Sequence, residues 1–373
     1  MTLSVAVDAT LGPARATTIS TPRGPVTTPC FMPVGTRGTV RAVESADLEA
    51  LGAQIVLGNT YHLLFRPGPD VVEALGGIHG FSDWSGLVLT DSGGYQVFSL
   101  SPKVDDEGVS FQSTYDGDAH RLTPEGAVDV QLRLGADIQM VLDECAPLPS
   151  PPDVIRTALE RTADWAARAR RAFLDRDVPG RSQFGIVQGG TDVAMRAESA
   201  ERTVAIGFDG YGIGGLSVGE SRDDMLPAID AAVAHLPADR PRYLMGLGDP
   251  VGIVESIARG VDLFDCVLPT RFARHGTLLT SEGRLNIKNR RFATDAGPLD
   301  PTCPCRVCAR YSRAYVRHLF NVHEPTGPRL ATLHNLAWIL RLTDRARAGI
   351  LDGTLDDLRR EVAGVYESPR TRR

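Results

Sequence analysis

The sequence predicts an α/β protein of the (β/α)8 barrel class, with a cysteine-rich insertion near its C-terminal end. Two observations lead there. Eight short apolar runs, most of them flanked by glycine, alternate with stretches of helical periodicity. A tight group of three cysteines follows the eighth run and precedes a final helical stretch. At 373 residues the chain is long for an ordinary domain but suits one barrel with insertions, so a single domain over residues 1–373 is expected.

The first predicted element is a β-hairpin at about 14–30, turning at Pro22-Arg23-Gly24-Pro25. Barrel strands are then predicted at 31–35, 54–59, 87–91, 138–143, 184–188, 210–216, 242–246 and 263–269. Most are continuously apolar, as parallel strands buried on both faces should be. The segments 124–134, 152–174, 193–206 and 222–235 read as amphipathic helices, several with proline or aspartate in the first turn. A doubly wound open sheet is the alternative. It calls for a glycine-rich phosphate turn after the first strand, and Gly35-Thr36-Arg37-Gly38 is a poor one. The cysteine-rich insertion is expected over about 276–335, ahead of a last helix starting near Leu333.

Within that insertion Cys303, Cys305 and Cys308 form the pattern C-x-C-x2-C, followed at a distance by His334. Three thiolates in six residues cannot pair usefully with one another, whereas a soft metal accepts all three together with a neutral imidazole. One structural zinc ion (Zn2+) per chain is the expectation. Four protein donors leave no open coordination position, so the ion should support the fold while the chemistry lies elsewhere. The other cysteines, Cys30, Cys145 and Cys266, are too scattered for a disulfide framework, which suits a reducing cytoplasm. The N-terminus lacks a basic region and places Asp8 inside what would be an apolar run, and nowhere do eighteen apolar residues follow one another, so a soluble, unexported protein is expected.

The formal charge is -6, yet from Arg271 to Arg317 ten basic residues face three acidic ones. A basic stripe on an acidic protein points to a polyanion docking at one place. Polar residues at the C-terminal ends of the predicted strands form the other cluster: Asn59, Asp91, Asp143, Gln188, Gly214-Gly215, Met245-Gly246 and Asp265. In a barrel these ends share one mouth. Two carboxylates at a sugar carbon suit glycosyl transfer, one as nucleophile and one handling the proton. A third carboxylate with an amide suits reading of a flat heterocycle, a task that fits Asp143 and Gln188. Gly214 and Gly215 would let backbone approach the edge of such a base, with Tyr95 and Met245 on its faces. Asp91 could equally cap the helix after Ser92, Gly93 and Gly94, and Tyr95 and Met245 could be core.

Taken in order, the segments TPCFMPVGT (28–36), LGNTYHL (57–63), DSGGYQ (91–96), LDEC (142–145), GIVQGG (185–190), GGLSVGE (214–220), YLMGLG (243–248), FDCVLPTR (264–271) and the Cys3His quartet resemble the bacterial queuine tRNA-ribosyltransferases, the tRNA-guanine transglycosylases, over nearly the whole chain. The resemblance implies exchange of the wobble guanine in tRNAs with a GUN anticodon for a 7-deazaguanine base, in a homodimer with no redox cofactor. It implies Asp265 as nucleophile and Asp91 as general acid/base. Ser92, Gly93, Gly94 and Tyr95 would line the base pocket with Asp91. Asp143, Gln188 and Gly215 would hold the base edge, Leu216 would offer its carbonyl, and Met245 would lie beneath the ring. RNA contacts are implied for Gly246, Leu247, Gly248, Asp249, Pro250, Val251 and Gly252, and again for Thr270, Arg271, Phe272, Ala273 and Arg274.

By the same resemblance, Cys145 and Val218 sit where the bacterial branch differs from the eukaryotic one, whose smaller residue beside the GGLS segment admits bulky queuine, so Val218 implies 7-aminomethyl-7-deazaguanine as the incoming base. Departures from the family pattern are His275, Cys30 and Ser217, which bear on anticodon contact and on the aminomethyl pocket. Other classes fit less well. A zinc amidohydrolase needs an H-x-H pair, and the eight histidines supply none. A sugar hydrolase would leave the basic stripe idle and has only three tryptophans for stacking. A non-catalytic RNA-binding subunit would not need both Asp91 and Asp265.

Overall fold

A computed structural model describes residues 3–367. The chain opens with an antiparallel sheet of β1 (Ser4–Leu11), β2 (Ala14–Thr21) and β3 (Gly24–Thr28). The predicted hairpin is β2–β3. The additional strand β1 was not expected from the sequence; its side chains alternate, with Val5, Ala9 and Leu11 partly buried against the core and the others exposed.

Nine parallel strand segments follow: β4 (Cys30–Met32), β5 (Val34–Gly35), β6 (Ile55–Gly58) and β7 (Leu87–Thr90), then, after a small insertion formed by β8 (Lys103–Asp105), β9 (Gly108–Gln112) and β10 (Ala119–Leu122), β11 (Ile138–Met140), β12 (Ser182–Val187), β13 (Gly210–Ile213), β14 (Arg242–Leu244) and β15 (Leu263–Asp265). Their order, β4-β15-β14-β13-β12-β11-β7-β6-β5, is that of eight barrel staves. The first stave is split because Pro33 has no N–H for the ladder. Its first half pairs with β15 and its second with β6, so it closes the barrel, and the Pro33 carbonyl still accepts from Leu57 N at 3.0 Å. Strands β6, β7 and β11 to β14 are wholly buried, which accounts for their mostly apolar character.

Helices occur at Pro124–Arg133, Pro152–Arg176, Val193–Ile206 and Arg222–His235, within two residues of expectation. Thr123, Asp192 and Ser221 cap three of them by accepting from Gly126 N, Met195 N and Asp224 N. The eighth run is shorter than predicted: the strand stops at Asp265 and a helix, Leu268–Arg274, begins almost at once. The final helix is longer than predicted. It spans Thr326–Asp352, so His334 sits two turns inside it, and a further helix, Leu355–Tyr366, folds back.

The N-terminal sheet lies at the end of the barrel opposite the mouth. Arg15 is buried there against Asp262, at the start of β15, with Nε to Oδ1 at 2.9 Å, and Asp262 Oδ2 accepts from Arg242 N at 2.7 Å. From the long C-terminal helix, Arg347 donates to the Thr17 and Thr28 carbonyls at 3.0 and 2.7 Å. These bonds fasten that helix across the sheet, and the opposite end stays open for a site.

Candidate active site and metal centre

Asp91 lies one residue beyond β7, where the turn Ser92-Gly93 leads into the helix Gly94–Phe98. Its Oδ1 accepts from Thr60 N at 2.7 Å and Gly93 N at 3.2 Å. Its Oδ2 accepts from Asn59 Nδ2 at 2.5 Å and Gln96 Nε2 at 3.1 Å. Four donors orient the carboxylate, yet burial raises it above the usual carboxylate range. Asp265, the last residue of β15, accepts from Tyr243 Oη at 2.5 Å and Gly246 N at 2.7 Å. Both bonds fall on Oδ1. Burial pushes Asp265 up to about 6, with the charge of Asp91 adding to the effect. Tyr243, itself buried, is held in its neutral form by that burial and by the neighbouring carboxylate, so it serves as a hydrogen-bond donor.

Beyond β11 and β12, Asp143 and Gln188 meet, with Gln188 Nε2 donating to Asp143 Oδ2 at 2.6 Å. Burial pushes Asp143 up to about 6 as well, and the charges of Asp91 and Glu144 raise it further. None of the three aspartates has a cationic partner among the described residues. Gly215, with φ +63°, turns against Gln188, and a Cβ there would collide with Gln188 Oε1. The turn that follows is held by Glu220, which accepts from Ser217 N and, at 3.0 Å, from Val218 N. Leu216 is buried, Met245 is half-buried, and Tyr95 is 63% exposed on the short helix after Asp91, an open ring beside the pocket. Burial pushes Cys145 and Cys266 up to about 12, so neither offers a thiolate at neutral pH.

Arg196, in the helix Val193–Ile206, escaped notice in the sequence and organises this wall. Fully buried, it donates to the carbonyls of Gly190 (2.6 Å), Val187 (2.9 Å), Gly214 (2.7 Å) and Gly215 (3.3 Å). Burial lowers it to about 10, which leaves it protonated at neutral pH. Its charge sits behind the peptide units whose N–H groups belong to Gly215 and Leu216, and polarises them.

The segments expected to meet RNA divide by burial. Leu247, Gly248, Pro250, Val251, Gly252, Thr270 and Ala273 are buried and shape their segments; Asp249 caps the helix Pro250–Ile257 by accepting from Gly252 N. Gly246 and Arg271 are exposed, and Phe272 and Arg274 partly so.

Cys303, Cys305, Cys308 and His334 bring their four ligand atoms within 4.8 Å of one another. His334 Nδ1 stands 3.7 Å from Cys305 Sγ and 3.3 Å from Cys308 Sγ, close to the edge of about 3.5 Å that tetrahedral zinc bonds imply. Nε2 of the same ring reaches the Leu279 carbonyl at 2.9 Å, which fixes the proton on Nε2 and leaves Nδ1 free to bind a metal. The group could hold a metal ion. The neighbouring Asn335 accepts from Leu279 N at 2.9 Å and donates to the carbonyls of Pro269 and Thr277, both at 3.0 Å. It thereby joins this centre to the helix after Asp265.

The sequence profile of queuine tRNA-ribosyltransferases matches residues 9–368. The chain belongs to the queuine tRNA-ribosyltransferase family. It is 48% identical over 355 residues to the queuine tRNA-ribosyltransferase of Halothermothrix orenii, covering 95% of this chain and 94% of that one. To the proteins of the same name from Solidesulfovibrio magneticus and Herpetosiphon aurantiacus it is 50% and 51% identical, over 96% and 91% of this chain and 97% and 86% of theirs.

Proposed function

We propose that this chain is a tRNA-guanine transglycosylase, exchanging the wobble guanine of GUN-anticodon tRNAs for 7-aminomethyl-7-deazaguanine. The observation that carries the reading is the group of three aspartates without cationic partners at one barrel mouth, Asp143 buried and Asp91 and Asp265 partly so, with Asp143 and Asp265 raised to about 6. A site of that kind gains from a substrate that uses each carboxylate.

Asp265 Oδ2 attacks the ribose C1′, the C1′–N9 bond breaks, and guanine leaves with the electron pair. Tyr243 and Gly246 hold Oδ1 and so direct Oδ2 at the sugar. Asp91, kept protonatable by burial, gives a proton to the departing base. The incoming base then loses its N9 proton to Asp91 as N9 attacks C1′ and the Asp265 ester bond breaks. Two displacements retain configuration. Asp143 and Gln188 read ring N–H and carbonyl groups, and Gly215 and Leu216 offer backbone. Ser92, Gly93, Gly94, Tyr95 and Met245 enclose the base. The Cys3His group holds zinc, which when bound ties the insertion to the barrel.

tRNA is the partner, and it places the enzyme in the cytoplasm; no described helix is long and apolar enough to cross a membrane. Homodimerisation is part of the same reading. The domain reading is one barrel carrying the 276–335 subdomain. The test is incorporation of labelled guanine into unmodified GUN tRNA. Wild type should exchange, whereas Asp265→Asn and a tRNA lacking the wobble guanine should not. Exchange by Asp265→Asn would refute the assignment. Queuine turnover equal to that of the aminomethyl base would refute the base choice.

A further inference from the structure

Five arginines stand around the barrel mouth on the loops after staves eight, one and two: Arg271, Arg274, Arg41, Arg37 and Arg66. None makes an ion pair among the described residues, although most arginines elsewhere do. All are exposed except Arg274, which is partly buried. Three observations join them. Arg271 and Arg274 share the helix after stave eight, Arg37 and Arg41 share the loop after stave one, and burial and then the charges of Arg41 and Arg271 lower Arg274. Arg37 lies over the Tyr115 ring from one side of the series at 5.8 Å, and Arg66 lies over the same ring at 5.0 Å.

Tyr115 comes from the β9–β10 turn, after the third stave, and is braced from behind. Phe65 stacks on it at 5.9 Å and 21°, and His62 Nδ1 meets its hydroxyl at 2.8 Å. His62 is lowered by burial and by Arg37, so it adds no charge of its own at neutral pH. His62 and Phe65 belong to the helix Thr60–Phe65, whose first residues hold Asp91. Unpaired guanidinium groups this close repel one another, and a polyanion relieves that cost.

We propose that these five arginines form one continuous track for an RNA backbone, which extends past Arg271 and Arg274 over staves one to three and ends at a Tyr115 platform clamped by Arg37 and Arg66. The inference rests on the tRNA reading above. Arg37, Arg41, Arg66 and Tyr115 are the new members. Phosphates would lie along the guanidinium groups, and an unpaired base or ribose would lie against Tyr115.

The test measures binding of unmodified GUN tRNA to the full-length enzyme across about 50 to 200 mM salt. Arg37→Ala and Arg66→Ala should each weaken binding about fivefold to tenfold near 0.1 M salt and lower the salt slope by about one. Tyr115→Leu should also weaken binding and should raise KM for tRNA more than it alters kcat. Arg171→Ala, an exposed arginine without an ion pair on the outer helix Pro152–Arg176, makes the same charge change away from the mouth and is the control. Arg37 and Arg66 variants indistinguishable from that control would overturn the track while leaving the transglycosylase reading intact. A changed oligomeric state with unchanged tRNA affinity would also overturn it and assign the surface to a subunit contact. Wild-type protein that neither binds nor modifies tRNA would overturn both readings.

Discussion

Asp143 and Asp265 are pushed to about 6 chiefly because burial penalises their charged forms, and this has two measurable consequences at the residue scale. The first is kinetic: Asp265 attacks only when ionised, so kcat/KM for tRNA should rise with pH through a limb near 6. A limb near the ordinary aspartate value would contradict the environment described. The second concerns stability. The folded pKa lies above the unfolded one, so the folded state holds the extra proton between about pH 4 and 6, and stability from these groups falls as pH rises through that window. Asp143→Asn removes the penalty. Its stability advantage over wild type in urea unfolding should grow between pH 4 and 7, towards about 3 kcal/mol at most. A gap independent of pH would sink this account.

Arg196→Met should weaken base binding by on the order of 1 to 3 kcal/mol, because four carbonyls lose their donor. Arg196→Lys should recover part of that loss, and equal losses in both variants would mean that the charge is irrelevant. Asp91, Asp143, Gln188 and Asp265 were legible because a polar residue ending an apolar run stands out. Arg196 was not, since a charged residue in an amphipathic helix is ordinarily solvated. The Tyr243 hydroxyl was hidden likewise, because its ring fits an apolar strand whatever its oxygen touches.

Among the elements, the helix Thr326–Asp352 does most to connect the parts. His334 points to the three cysteines, and Asn335 binds the strand β16 (Thr277–Thr280) and the helix Leu268–Arg274. Near its start Arg329 pairs with Asp47 at 2.7 Å, while Arg306 in the cysteine segment pairs with the same carboxylate. Losing the metal should therefore loosen both the helix bearing Arg271 and Arg274 and the loop bearing Arg37 and Arg41. Cys305→Ala, or strong chelation, is expected to lower the thermal midpoint and weaken tRNA binding before it affects exchange at saturating tRNA. A metal-free, folded variant with normal tRNA affinity would contradict this. The ligand spacing was plain in the sequence, but the extent of the helix was not. Pro325 and Pro328 occupy its cap and first turn, where proline's missing N–H costs nothing.

At the scale of the whole molecule, the barrel was legible because its strands are buried on both faces and leave continuous apolar runs. The insertion β8–β10 and the short helices between β6 and β7 were not, since they are brief and partly solvated, and the strand β1 was missed although its apolar residues alternate. The convergence of stave ends on one mouth follows from the topology alone, and it turns separate motifs into one site opposite the plugged end. The central claim is that the site passes through a covalent enzyme–tRNA intermediate at Asp265. The most direct measurement mixes enzyme with unmodified GUN tRNA in the absence of free base, denatures the mixture, and maps the RNA-linked peptide by mass spectrometry. The account predicts a single adduct on the peptide containing Asp265, absent from Asp265→Asn and discharged by added guanine. An adduct on another residue, or none with active wild-type enzyme, would contradict it.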